Sequence, residues 1–512
     1  MDRYLMILEV SQKQAYIFGS NVLKDNVRNS AMIAYVTGKD FFNSLAAGNQ
    51  SVYSEENNLV YSGGGHTILD FASLEQARAF SGLVTGKVLA DYPDMELFVK
   101  VKKYDESLSY SQNLKELISE LEKKKSLRIA SFHQGTYGIE HIDPATKKPV
   151  ISNLDKEVYT GAADSSDLDR LFIPQDYEAA MAFSDLGGTK GKSNYIAVVH
   201  IDGNGMGNRV NKKYQDLDKE CNNWEAFKKE VRVFSEKIDT DYKTAYRRMT
   251  EIVAEQDRLG ALRTLSLREN KKTGKPYFPI RRIITSGDDI CFVTDGRIGI
   301  ESAVAFIREL RRIDKSYSAC AGVAIVHQKY PFFKAYELAE SLCSNAKKFN
   351  ATIAGEREKG NQVSSIDWHI DQGEIEDSAE EVRNHYISED GKYHLEMRPY
   401  IIDGPLDIVD DNRNKPRNYS VFKKLIVKLM TGSDNDNDDV SKGKIKNLRG
   451  VLKQGEAETM HYVNFYKLWE SFIENPDQIF VRTKSGEKHA KYFDAIELVD
   501  TFIPFVELNG GE

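Results

Sequence analysis

The sequence has no apolar run long enough to cross a bilayer, no CxxC pair, and no basic N-terminal segment leading into a long apolar core. The first absence excludes a transmembrane helix, which needs about 20 predominantly apolar residues. The second leaves the cysteines, Cys221, Cys291, Cys320 and Cys343, without the spacing of a zinc ribbon or of a disulfide framework. The third leaves the opening "MDRYLMILEV" as a first strand and not a signal peptide. A cytoplasmic protein without membrane attachment is expected. Excess positive charge is missing too: 70 Lys and Arg against 78 Asp and Glu leave a net charge of −8. That argues against a broad nucleic-acid-binding coat but leaves room for a local basic channel. Lys123 to Arg128, Lys271 to Arg282 and Lys442 to Lys453 are the basic stretches, each more simply a solvated face or loop.

What is present is an ordinary globular composition, 41% hydrophobic and 29% charged, in a chain of 512 residues, too long for one core. From residue 194 the order of elements is clear. "NYIAVVHID" is a nearly continuous apolar run, as expected of a central strand covered on both faces. "GNGMG" follows as a tight loop, and residues 222 to 268 carry helical spacing with Trp224, Phe227, Val231 and Phe234 on one face. "PIRRIITSGDDICFVTDG" reads as two strands around a turn, "IESAVAFIRELRRI" as a helix, "SACAGVAIVH" as a strand and "PFFKAYELAESLCSNAKKF" as a closing helix. A split β-α-β arrangement of ferredoxin type satisfies this order.

The N-terminal segment repeats it: strand "YLMILEVS", a helical stretch over 21 to 46, and a strand pair around the glycines of "YSGGGHTIL". Helix "SLEQARAFSGLVTGKVLADY" and strand "MELFVKVKKY" follow. Aligned by element, Ser11 falls near Asp202, and Gly63, Gly64, Gly65 and His66 fall near the Ser286-Gly287-Asp288-Asp289 turn. The expected fold class is α+β, with two ferredoxin-like domains over 1–105 and 194–400. A helical and irregular connector over 106–193 lies between them, and a C-terminal helical domain over 401–512 ends the chain. The Asp/Asn-rich stretch "TGSDNDNDDVSKGK" reads as a loop; Asp439 and Ile445 stand where a calcium loop needs Gly and Glu.

Paired carboxylates at a hairpin tip are costly. Two charges about 4 Å apart repel by roughly 4 kcal/mol at an effective dielectric near 20. Asp202, ending the neighbouring strand, adds a third acid, and three converging acids raise one another's pKa unless a cation intervenes. Mg²⁺ or Mn²⁺, oxygen-liganded and shared with substrate phosphates, suits such a set. After Asp202, the glycines Gly203, Gly205 and Gly207 let the backbone bend so that successive N–H groups can face a phosphate chain. Phosphoryl-transfer chemistry of the polymerase kind needs little more. A Gly-Asp-Asp triplet alone is weak evidence; the joint pattern carries the weight.

At these residues the sequence resembles a known family. "HIDGNGMG" resembles the first palm motif, and "SGDD" the GGDD motif, of the large polymerase-cyclase subunit of type III CRISPR effector complexes. "SQKQAYIFGSNVLKDNVRNS", "YSGGGHTIL", "SACAGVAIVHQKYPFFKAYELAESLCSNAKK" and "MRPY" resemble further stretches of it, so that the likeness covers roughly residues 1 to 400. The resemblance implies two GGDEF-type palms that bind two ATP molecules and yield a cyclic oligoadenylate, which activates a downstream cyclic-nucleotide effector in antiviral defence. Asp202, Asp288 and Asp289 would then be the catalytic metal ligands, and Ser286 and Gly287 would shape the turn. Gly63 to His66 would bound the acceptor nucleotide, and Lys347 would reach the triphosphate, unless it is a solvent-facing lysine beside Lys348.

The departures from the family are specific. No "HD" dipeptide occurs, so the nuclease domain of larger relatives is expected to be absent. The cysteine ribbon is missing, with "TYGIEHIDPATKKPVI" as its metal-free remnant. Ser286 replaces the first Gly of the turn, and Asn204 stands where many relatives have a second acid. Such a chain is either a compact effector subunit, with RNA and other CRISPR subunits as partners, or a stand-alone synthase. The alternatives are a non-catalytic RNA- and protein-binding scaffold and a GTP-using dinucleotide cyclase. Against the latter stands Ile290, which follows Asp289 where that type carries Phe. His200, two residues before Asp202, shares its face by strand alternation and is more simply a packed histidine.

Overall fold

The computed structural model describes residues 3–47, 52–127, 165–188, 194–371, 373, 378–431, 442–468, 473, 479–483 and 486–507. About half of the expected connector, the proposed ribbon remnant and most of the Asp/Asn-rich loop lie outside the described residues. Two compact units emerge, and they cut across the sequence segments. One comprises Met1–Leu171, Met206–Tyr242 and Ile283–Asp288; the other comprises Phe172–Gly205, Lys243–Arg282 and Asp289–Glu512.

The first unit holds a four-stranded sheet of β1 (Tyr4–Val10), β2 (Leu59–Gly63), β3 (His66–Phe71) and β4 (Leu97–Lys103) in the order β2-β3-β1-β4. β1 is central, buried along most of its length, and pairs antiparallel with both β3 and β4. Helix Tyr110–Ser126 starts at a Ser109/Gln112 capping box. Its leucines 114, 117 and 121, one helical face, enter a core with Leu5, Ile7, Val60, Ile68, Trp224 and Phe227. Within that core Trp224 Nε1 donates to Asp70 Oδ2 at 2.6 Å.

A second sheet has six strands: β5 (Tyr195–Gly203), β6 (Ile280–Ser286), β7 (Asp289–Asp295), β8 (Ala319–His327), β9 (Ser364–Ile370) and β10 (Tyr400–Asp403). Their order is β10-β9-β8-β5-β7-β6. Within it the run β8-β5-β7-β6 reproduces β4-β1-β3-β2, strand for strand, and β5 pairs antiparallel with β7 and β8 as β1 does with β3 and β4. Two copies of one strand order, the split β-α-β order, thus account for the echo heard in the sequence.

Helix Phe332–Ala354 closes this motif, running from Pro331 to Gly355, whose φ of +79° ends it. It lies very close to β8: a Cβ on Gly322 would sit 1.9 Å from the Ala339 carbonyl oxygen. Beyond β10 the chain is mainly helical, and its helix Phe493–Leu498 is buried. From that helix Asp494 and Glu497 reach the fully buried Arg398 of the "MRPY" segment, Glu497 Oε2 accepting from Arg398 at 3.0 Å. Arg281 and Arg282 are buried, Arg282 over the Phe172 ring, so the second basic stretch loses both to the interior. Among the described residues no helix is long and apolar enough to cross a membrane.

Candidate active site on the central strand

β5 carries the site because its apolar residues, Ile196 to Val199 and Ile201, drive it into the middle of the sheet and leave its polar end at the edge. There Asp202 stands directly opposite Asp289, the first residue of β7. Residues opposite one another in an antiparallel pair project from the same face, about 5 Å apart at Cβ. Both side chains stay accessible, at 39% and 45% exposure, so a ligand can reach them. Asp288, one residue earlier, belongs to the turn.

Helix Phe332–Ala354 supplies a counter-charge. Lys347 Nζ lies 2.5 Å from Asp202 Oδ2 and 3.5 Å from the Gly203 carbonyl oxygen. Burial alone pulls the lysine's pKa down, but the Asp202 charge and hydrogen bond outweigh it and hold the ammonium above its ordinary value. Lys348, by contrast, is exposed. His200 is buried with its ring edge-on to Tyr336, and its Nδ1 lies 3.6 Å from Asp289 Oδ1. Burial lowers its pKa, against the pull of Asp202 and Glu340, so the ring is held neutral.

The loop after Asp202 is partly committed to the protein. The Asn204 N–H donates to the Ser318 carbonyl at 2.9 Å, and its side-chain amide nitrogen to the Val363 carbonyl at 2.8 Å. Gly205 takes a φ of +65°, which favours glycine, whereas Gly207 is the second residue of the helix Met206–Glu220, where a Cβ would meet no close neighbour. In the acid-bearing turn Gly287 has a φ of +62°. Asp288 belongs to the same unit as Tyr61, whose pKa is raised to about 12, chiefly by burial and in part by the Asp288 charge.

The register revises the internal alignment. Glu9 pairs with His66 as Asp202 pairs with Asp289, so Glu9, not Ser11, is the counterpart of Asp202. Gly64, with a φ of +63°, matches Gly287, and Gly63 matches Ser286. The first half therefore keeps one acid at this place. It keeps a lysine too: Lys125, on the helix after β4, lies 3.3 Å from Glu9 Oε1, as Lys347, on the helix after β8, lies on Asp202. Residue-type matching missed Glu9 because "LEVS" contains no glycine loop; the acid–lysine pair spans 116 positions and has no local signal.

Glu340 was also passed over. It faces the same region as His200 and Cys291, acting on the charge of both, and lines a shallow depression of about 490 Å³ with Lys334, Glu337, Ser341 and Ser344. Its spacing of seven from Lys347 puts both on one helix face, the one signal available in the sequence.

Among the described residues no group of three His, Cys, Asp or Glu side chains is gathered closely enough to hold a metal ion. The register sets two of the three expected acids, Asp202 and Asp289, opposite one another. That still fits Mg²⁺ or Mn²⁺, which characteristically take one or two carboxylates plus substrate phosphates. The ammonium of Lys347 on Asp202 marks the place as one that attracts a cation.

No protein-family model matches the sequence, and no curated protein matches it. Solved structures do. An apo Csm1–Csm4 cassette superimposes with a TM-score of 0.55 at 11% identity, covering 98% of this chain and 70% of that one. The same cassette in complex with cA3 gives 0.57 at 11%, covering 97% and 69%. Csm1 of T. onnurineus gives 0.55 at 13%, again covering 97% and 69%. These are the type III CRISPR proteins that the motifs resemble, and at such identity the likeness is one of fold.

Proposed function

We propose that this chain is a metal-dependent nucleotidyltransferase that joins ATP molecules and closes them into a cyclic oligoadenylate, a second messenger of antiviral defence. In this reading the two sheets are the cores of two palm domains, the second catalytic, followed by a helical domain. The observation that carries it is the pairing of Asp202 with Asp289 at the accessible end of a central strand, with Lys347 poised on Asp202. The shared fold with Csm1, which is solved with cA3 and with Csm4, supports the product class and a place beside other effector subunits; RNA as a further partner rests on the motif resemblance alone.

Bound at Asp202 and Asp289, Mg²⁺ or Mn²⁺ supplies positive charge at the phosphates and at the attacking hydroxyl. The chain's own part is positioning. Asp202 and Asp289 present their carboxylates from a rigid sheet, and Asp288 adds negative charge at the tip. Lys347 is a cation held ready near the phosphates, able to exchange Asp202 for a triphosphate oxygen. His200, wedged against Tyr336, backs the Asp289 side chain. The protein works in the cytoplasm, where its product reaches a cyclic-nucleotide-binding effector.

The test is direct. Purified protein is incubated with each of the four nucleoside triphosphates and Mg²⁺ or Mn²⁺, and products are identified by mass spectrometry beside an Asp288→Ala/Asp289→Ala variant. A cyclic oligoadenylate from wild type only supports the reading; product from both sinks the site, and a guanylate product favours the GTP-using cyclase. A non-catalytic scaffold is the second reading. It is favoured by the ammonium that already neutralises Asp202 and by the lack of a three-ligand group among the described residues. It predicts that the double variant keeps every partner interaction and that no triphosphate is consumed.

A further inference from the structure

We propose that Ser286 is a positioning residue whose hydroxyl latches the acid-bearing hairpin onto the glycine turn of the first sheet, fixing the tip that carries Asp288. This deepens the nucleotidyl-transfer reading and rests on it for its catalytic consequence.

Both partners of the latch lie in the first unit. The Gly64 N–H donates to Ser286 Oγ at 3.1 Å, and the Gly64 carbonyl accepts from Lys13 Nζ at 2.5 Å. Side chains thus engage Gly64 through both its N–H and its carbonyl. The turn they grip has little spare room: a Cβ on Gly65 would press on Ile33 Cγ2 and Lys13 Cδ at 3.1 Å, and one on Gly63 would press on the Tyr61 hydroxyl at 2.9 Å. Across the latch, Gly287 has no neighbour within 4 Å of where its Cβ would be, so that side of the turn is open. The hydroxyl of Ser286 provides a fixed point one residue before that open stretch.

The acceptor belongs to this chain's own departure from the family turn. A glycine at 286, as at its counterpart Gly63, offers no side-chain oxygen to Gly64. Serine there is therefore more than a small residue tolerated in a tight place. Its loss would let the tip, and Asp288 with it, sample positions away from the productive one. Such looseness acts on cation binding and turnover more than on ATP capture.

The experiment compares full-length wild type with S286A, S286G and S286T. Hydrogen exchange is read on the peptide spanning the glycine turn, Mn²⁺ binding by electron paramagnetic resonance, and Mn²⁺ dependence in the ATP reaction. S286A and S286G are expected to speed exchange at the turn. They should also raise the half-saturating Mn²⁺ concentration about three- to tenfold, the range one neutral hydrogen bond carries. The KM for ATP should move less than about twofold, and S286T should retain wild-type values. Unchanged exchange in S286A overturns the latch; faster exchange with unchanged Mn²⁺ binding leaves a bond but overturns the positioning role. Wild type that consumes no triphosphate sinks the nucleotidyl-transfer reading instead, while exchange and Mn²⁺ binding still decide the latch.

Discussion

Lys347 reaches Asp202 across the face of the second sheet, its ammonium 2.5 Å from Oδ2, and this contact joins the closing helix to the end of the central strand. It explains why a lysine next to another lysine is not simply solvent-facing. Replacement by methionine keeps the aliphatic stem and removes the charge. We expect Lys347→Met to lower kcat/KM for ATP about 10- to 100-fold, the range of a charge-assisted hydrogen bond, with little loss of thermal stability. Steady-state kinetics beside a melting curve checks both halves.

The same helix is held at its distance by Gly322. A methyl there would meet the Ala339 carbonyl oxygen at 1.9 Å and the Cys343 amide nitrogen at 2.4 Å, both backbone atoms that cannot rotate away. Gly322→Ala should therefore destabilise the second unit by about 1–3 kcal/mol and, by pushing the helix outward, impair Lys347 as well. Chemical denaturation measures the first effect. A variant as stable as wild type would show that the helix approaches less closely than described.

A buried charge cluster ties the C-terminal helix to the "MRPY" segment. Asp494 Oδ2 accepts from the Met397 and Arg398 N–H groups at 2.8 and 3.1 Å, while the Arg398 guanidinium is fully enclosed. Asp494→Ala leaves that guanidinium short of one partner in the interior and should cost about 3–5 kcal/mol. Denaturant midpoints for the second unit test it.

His66 makes the first unit acid-sensitive. Burial and then the Lys13 charge depress its pKa to about 4, below an ordinary 6.5. The folded state therefore binds fewer protons than the unfolded one between pH 6.5 and 4, so stability is full above this window and is lost as pH falls through it. His66→Gln should flatten the melting temperature over that range. An equal slope in wild type and variant would assign the acid loss to other groups.

The sequence by itself determined the element order, the two copies of one strand arrangement, the acids Asp202 and Asp289 at strand ends and Asp288 in the turn. Local chemistry is enough for that: apolar runs choose strands, 3.6-residue spacing chooses helices, and glycines mark turns. Only the tertiary structure decided which acids face one another. Cross-strand register is a long-range property, and a shift of one residue reverses the face of every side chain. Hence Glu9 was hidden behind Ser11, the register that sets Asp202 opposite Asp289 could not be read locally, and the Gly64–Ser286 bond, across 222 positions, left no trace in either local stretch.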